Sequence, residues 1–385
     1  MKGRAAGAQF LAAITPIMNE DSPRLLGTAL RGDAISAERT VASRTLRPSL
    51  TLGGSTVSEA MSLTVSQPLF EFGKRGARLE RLKSLEDQQR LQLADARQSL
   101  AEQALTAAIA QDLAKKWIAV TQRRIADFRK AKANALRMAD LQLIMESDVQ
   151  LVEVKLNEAT SDLARAQNDL LSAQRSWARL AGTAPFPDAP LFPDLLNRFG
   201  TGTAKSAHMI AAQNNLDLRL LQAEIAVQHS EVSVVKTGRR PTLSVQNITK
   251  LDSGNDLSNN VGLGLEVDLF SPDRDASIAR AEGMSNALAA DLVNMREDLT
   301  FEIERLLSEA AAADRLATEK TRSLQALEAR VTALERQLEQ GLATFTDLID
   351  ARSDLFEVQY EALTLQNDAQ LRQADVLVKT GAFAY

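Results

Sequence analysis

The chain has 385 residues, 45 of them Lys or Arg and 50 Asp or Glu, for a formal net charge of −5. Charges scattered in such near balance leave no basic footprint for nucleic acid. With no cysteine and only two histidines, disulfides, thiolate metal sites and a cysteine nucleophile are excluded, and a lipid anchor carried on cysteine is not expected within it. His208 and His229 share no metal-ligand spacing and read as solvated helix residues. No metal or cofactor is expected. Aromatic residues make up only 4% of a chain that is 45% hydrophobic. Ala and Leu carry the apolar content, which suits long helices packed side by side.

The first apolar run, Ala5 to Met18, is interrupted by Pro16 and is too short to cross a membrane as a helix. Met1-Lys2-Gly3-Arg4 before it imitates the start of a signal peptide, yet no small-x-small cleavage site follows. The run reads as the first helix of the folded domain, with the export signal expected upstream.

Strand signals come next. Met61, Leu63, Val65 and Leu69 alternate with Ser62, Thr64 and Ser66. Strict alternation marks a strand that is apolar on one face and polar on the other. From Ala77 to Ala181 there is then neither proline nor glycine, and the residues are good helix formers. A helix from about Arg75 to Asp140 would rise on the order of 100 Å at ~1.5 Å per residue. Pro185, Pro187, Pro190 and Pro193 punctuate the middle of the chain and mark a linker.

The second half repeats the first. Arg47-Pro-Ser-Leu-Thr-Leu52 is answered by Arg240-Pro-Thr-Leu-Ser-Val245, and Met61 to Phe70 by Val261 to Phe270. A long breaker-free helix follows each, and Leu324, Leu327, Val331, Leu334 and Leu338 step by three and four as a coiled-coil seam. Ser147-Asp148-Val149 is matched by Thr346-Asp347-Leu348, and a second long helix follows each. We therefore expect two structural repeats, 1–190 and 191–385, each ordered helix, strand, strand, long helix, long helix. Strands are expected at 46–54, 59–70, 241–251 and 259–270. Their length and period suit a membrane β-barrel. Four strands cannot close such a barrel and an unpaired edge is untenable in lipid, so a membrane reading demands an oligomer.

At this point the chain resembles the TolC-like family of outer-membrane efflux and type I secretion ducts. The resemblance rests on Leu46 to Leu52, on Val65-Ser-Gln-Pro-Leu-Phe-Glu-Phe-Gly73, on Leu180-Ala-Gly182 and on Gly341-Leu-Ala-Thr-Phe-Thr-Asp-Leu-Ile-Asp-Ala351. It implies a mainly α protein with a small β part. Long coiled-coil helices and four transmembrane strands per protomer would form a trimeric α/β-barrel, with the proline linker in an equatorial belt. It implies a passive duct of a tripartite export system, not an enzyme. Its partners would be a periplasmic adaptor, a proton-driven or ATP-driven inner-membrane transporter and outer-membrane lipid.

The resemblance places Asp347 and Asp350 at the periplasmic entrance, three apart and on one helix face, repeated as a ring by threefold symmetry. Asp148 on the duplicated turn is the second candidate. The Tyr and Arg that lock some members shut are replaced by Leu338 and Ala343, so closure is expected to rest on packing around Leu338, Leu342 and Phe345. Gln142 stands where the second half has Gly341, which implies a less sharp first turn. Leu50, Leu63, Val65, Leu243, Leu263 and Leu265 are expected to face lipid, and Thr64, Ser66, Gly264 and Glu266 the lumen. Lys74, Arg75, Arg78, Arg81 and Lys83 follow the first hairpin, where basic side chains meet anionic headgroups. The rival readings are a soluble antiparallel coiled-coil scaffold, which leaves both hairpins idle, and a carboxylate-dyad enzyme at Asp347 and Asp350, which lacks a nearby His, Lys or Tyr.

Overall fold

A computed structural model describes residues 18–19, 22–44, 48–55, 60–181, 195–251, 257–267 and 272–382. The proline linker, most of the Ala5–Met18 run, residues 46–47 and 59, and the 268–270 end of the expected fourth strand lie outside the described residues. The elements run α1 (Leu26–Ser43), β1 (Ser49–Ser55), β2 (Ala60–Phe70), α2 (Lys74–Asp140), α3 (Glu146–Ala181), α4 (Leu195–Arg198), α5 (Ala204–Asn214), α6 (Leu216–Thr237), β3 (Thr242–Leu251), β4 (Leu257–Glu266), α7 (Pro272–Glu339) and α8 (Phe345–Thr380). The protein is mainly helical with one small sheet. Among the described residues, no helix is long and apolar enough to cross a membrane.

The chain divides into two compact units, and each draws on both halves of the sequence. Of the described residues, one holds those within 23–95 and 216–298, the other those within 96–215 and 299–382. The first unit contains the sheet, an antiparallel meander in the order β1-β2-β3-β4. Its register decides which side chains share a face. Leu50 pairs with Val65 and Leu52 with Leu63. Leu243 pairs with Leu265, Val245 with Leu263 and Asn247 with Val261. Directly paired residues point the same way, so these side chains form one face together with Met61, Leu251 and Leu257. The opposite face carries Thr51, Ser62, Thr64, Ser66, Ser244, Gln246, Gly262, Gly264 and Glu266, with Ile248 and Pro68 among its apolar exceptions. Pro68 has no N–H to give to the ladder, and the register shifts between Pro68 and Phe70.

The second unit is built on helix seams. In α3 the buried residues Val152, Ala159, Ala166, Ala173 and Leu180 recur every seven positions. In α8 Ala362, Ala369 and Val376 do the same. A strict seven-residue stripe keeps one seam facing its neighbour, and alanine lets the backbones approach closely. Towards the α2–α3 turn the core becomes aromatic. Phe128 and Phe356 lie with ring centroids 6.0 Å apart among Ile125, Ala135, Val152, Ala159 and Ile349. Arg124 stacks over both rings and pairs with Asp162 at 2.8 Å, so its partly buried charge is met. The seam of α7 packs on α8 through Val331, Leu334 and Leu338 against Leu348, Ala351 and Leu355. Because Ala159 is fully buried, Ala159→Leu is expected to overpack the seam and cost about 1–3 kcal/mol. A lowered thermal-unfolding midpoint checks this.

Candidate pore entrance

The candidate entrance residues lie on two turns of the second unit, between α2 and α3 and between α7 and α8. The turns are built alike. Gln142 donates to the Ala139 carbonyl at 2.8 Å and Leu143 to Met138 at 2.9 Å. In the second turn Gly341 donates to Leu338 at 3.0 Å and Leu342 to Gln337 at 2.8 Å. This pair of bonds closes a helix end around one left-handed residue. That residue is Gly341 at φ 71° and Gln142 at φ 57°. The first turn is thus as sharp as the second, contrary to the reading of Gln142 from sequence. Its closing bonds and the helices on either side hold glutamine in a conformation it rarely adopts.

After each turn an aspartate caps the next helix from within. Asp347 Oδ2 accepts from the Thr344 amide at 3.0 Å, and the Asp347 amide donates to the Thr344 hydroxyl at 3.1 Å. This is a complete capping box on α8. The Thr344 hydroxyl and then its amide stabilise the ionised carboxylate, which holds the Asp347 pKa below its ordinary value of 3.8. The first turn has Met145 where the second has Thr344, so its box is half made. Asp148 Oδ2 accepts from the Met145 amide at 3.1 Å, and no hydroxyl stands at the cap. Its other oxygen accepts from the Thr346 hydroxyl at 3.1 Å, tying the two turns together across 198 positions.

The two carboxylates expected to act together are therefore not equivalent. Asp347 is turned back onto its own helix start. Asp350 is exposed one turn further on and makes no ion pair among the described residues. Phe345 is 4% exposed in the aromatic core, and Leu338 packs against that core and against Val331 and Leu348. Leu342 is 74% exposed in the single protomer, where the turn carries it outward. Leu141, Leu143 and Met145 are exposed beside it. Thr346 is the residue that sequence reasoning missed. Its alignment with Ser147 was visible, but its bond to Asp148 depends on how α3 and α8 pack.

Replacing Thr344 with Ala should cost about 1 kcal/mol and let the first turn of α8 fray. Faster hydrogen exchange at residues 345–348 checks it. The box also carries a pH sign. Asp347 is depressed in the folded state, so its contribution is full above the ordinary carboxyl value of 3.8 and is lost as pH falls through the lowered one. Wild-type protection there, measured against the intrinsic exchange rate at each pH, should fall only in that acid window.

All six side chains expected to face lipid, Leu50, Leu63, Val65, Leu243, Leu263 and Leu265, share the apolar face of the sheet, and Thr64, Ser66, Gly264 and Glu266 share the other. The apolar face is bare on its outer strands, where Leu50 is 68%, Val261 71% and Leu263 72% exposed.

No curated protein matches the sequence of the chain. Among solved structures, a membrane protein from Pseudomonas aeruginosa superposes with a TM-score of 0.80 at 15% identity, over 97% of this chain and 90% of that one. The outer membrane protein VceC from Vibrio cholerae gives 0.76 at 15% identity, over 98% and 96%. The MtrE outer membrane channel of Neisseria gonorrhoeae gives 0.76 at 15% identity, over 97% and 89%. Residues 209–382 match the family described as outer membrane efflux protein. That match lies in the second half of the chain, while the likeness of fold to these solved structures runs along its whole length.

Proposed function

We propose that the chain is one protomer of a trimeric outer-membrane duct that carries small molecules passively from the periplasm to the exterior. The observation that carries this reading is the sheet. One of its faces is apolar and exposed, and among the described residues β1 and β4 are each paired on one side only. In water such a face and such edges invite aggregation. In lipid the face is satisfied at once, and the edges are satisfied when copies pair edge to edge. Three copies would supply twelve strands, within the range of closed membrane barrels. A soluble scaffold leaves the face and both edges unexplained.

The same fold occurs in proteins described as the outer-membrane channel OprN and as an open-state outer membrane channel, MtrE. By that likeness the partners are a periplasmic adaptor and an inner-membrane transporter. The family description favours efflux over type I protein secretion. The protein performs no chemical step. Asp350, Asp347 and Asp148 would ring the entrance in threefold repeat, while Leu338 and Phe345 hold the helices that carry them.

Expression of the full chain, membrane fractionation and mild cross-linking test this. Recovery as a cross-linked trimer in the outer-membrane fraction, with single-channel conductance in planar bilayers, is expected. A soluble monomer without conductance would overturn it.

A further inference from the structure

The helix-side border of the sheet combines bare aromatics with uncompensated positive charge. The register shift at Pro68 brings Phe70 opposite Leu243, at the end of the apolar face. Phe70 and Phe72 are 56% and 40% exposed, and their rings meet edge to face at 4.6 Å. The four strands contain no other aromatic side chain. Phenylalanines confined to one end of an apolar band mark the interfacial level of a membrane.

Beside this pair the cations divide into two sets. Arg81 is paired with Glu231, Lys236 with Glu282 and Arg239 with Asp275. The others meet only neutral acceptors or none. Lys74 donates to the Thr242 hydroxyl at 3.0 Å, Arg75 to the carbonyls of Ala42 and Ser43, and Arg240 to the Phe72 carbonyl at 2.9 Å. A carbonyl orients a guanidinium without neutralising it. Arg44 and Arg78 are exposed and have no ion-pair partner among the described residues. Against these charges stand Glu71 and Glu80, which form no ion pair there either. Of the cluster read from sequence, Lys74 and Arg75 thus also hold the strand–helix junction together, while Arg78 is free to meet a ligand.

Arg240 also fixes the path of the chain. Gly73 has φ 95°, and a Cβ there would lie 2.5 Å from Arg240 Nη1. A residue of the second half thereby holds the first half's exit from the membrane border beside Phe72.

We infer that this border binds the phosphodiester headgroups of anionic phospholipids, through Arg44 and Arg78 beside the Phe70–Phe72 pair. The inference rests on the membrane reading above. Charge complementarity supports it, as does its continuity with the apolar face: acyl chains would lie on that face and the phosphates where it ends. Each cation near an anionic surface favours the anionic lipid about five-fold.

The test uses full-length protein reconstituted into phosphatidylcholine vesicles with and without phosphatidylglycerol, and reads the lipid retained on the purified trimer by native mass spectrometry. Wild type should retain phosphatidylglycerol in preference to phosphatidylcholine. Arg44→Gln with Arg78→Gln should lose that preference at an unchanged trimer yield. Arg129→Gln with Lys130→Gln removes equal charge from exposed positions of the other unit and should keep it. Equal retention of both lipids by wild type, or unchanged preference in the Arg44/Arg78 variant, overturns the inference and leaves the duct standing. Loss of preference in inorganic phosphate but not in chloride of equal ionic strength would assign the site to a free anion and overturn it as well. Failure to enter either kind of vesicle would sink the duct reading, and this inference with it.

Discussion

Leu263→Arg is expected to abolish outer-membrane assembly, while Thr64→Arg assembles normally. Leu263 is 72% exposed on β4, opposite Val245, in the middle of the apolar face. In a soluble protein an arginine at so open a position costs almost nothing, because its charge stays in water. Near the midplane of a bilayer the same change costs about 2–4 kcal/mol. In the proposed trimer that cost recurs three times in one barrel, which predicts a loss of insertion and not a mild weakening. Thr64 lies on the opposite face, paired with Thr51 and Ile248. An arginine there would point into the water-filled lumen. The two variants add the same charge to the two strands that flank β3 in one sheet, so general toxicity of arginine predicts equal outcomes. Yield in the outer-membrane fraction, by immunoblot after fractionation, separates the two.

The second large effect lies at the proposed entrance. Phe345→Ala should cost about 3–4 kcal/mol, because a nearly buried ring is removed from a packed core and the hole is only partly refilled. Phe345 joins the cluster of Phe128, Val149, Val152, Ile349 and Phe356, which binds α2, α3 and α8 together. Leu338 joins this cluster to the α7 seam. The loss therefore falls on the packing that fixes the two turns relative to one another. Single-channel conductance should rise, and exchange should quicken in residues 338–350 before it does elsewhere. Asp347→Asn with Asp350→Asn should instead weaken cation selectivity and leave closure little changed. Within that pair Asp350→Asn alone should carry most of the effect, since Asp347 is engaged by Thr344. An unaltered conductance in Phe345→Ala would show that the entrance is held by something other than this core.

The parts of the protein that repeat with a fixed period were legible in the sequence. Two-residue alternation gave the faces of the sheet, because β-pleating admits no other arrangement. Breaker-free stretches gave α2 and α7, since nothing in Ala77 to Ala181 or between Met284 and Gln340 stops a helix except the turns themselves. The turns were harder. Gln142 adopts the same left-handed conformation as Gly341, and glutamine gives no local sign of it. The Thr346–Asp148 bond joins residues 198 positions apart, so only packing reveals it. Leu342 was expected beside Leu338 and Phe345 in the packing that closes the entrance, yet within the single protomer it is exposed directly after the left-handed Gly341. The compact units follow pairing in space, which is why each takes residues from both halves of the chain.

The central claim is that the apolar face of the sheet meets lipid and the polar face meets water. The chain has no cysteine, so single-cysteine variants along β4 can each carry one spin label without background. In outer-membrane vesicles the account predicts a two-residue period of accessibility. Labels at 261, 263 and 265 should be relaxed by oxygen, which concentrates in lipid, and labels at 262 and 264 by a water-soluble nickel chelate. Equal access of the chelate to all five positions would contradict it, and with it the assignment of this sheet to the membrane.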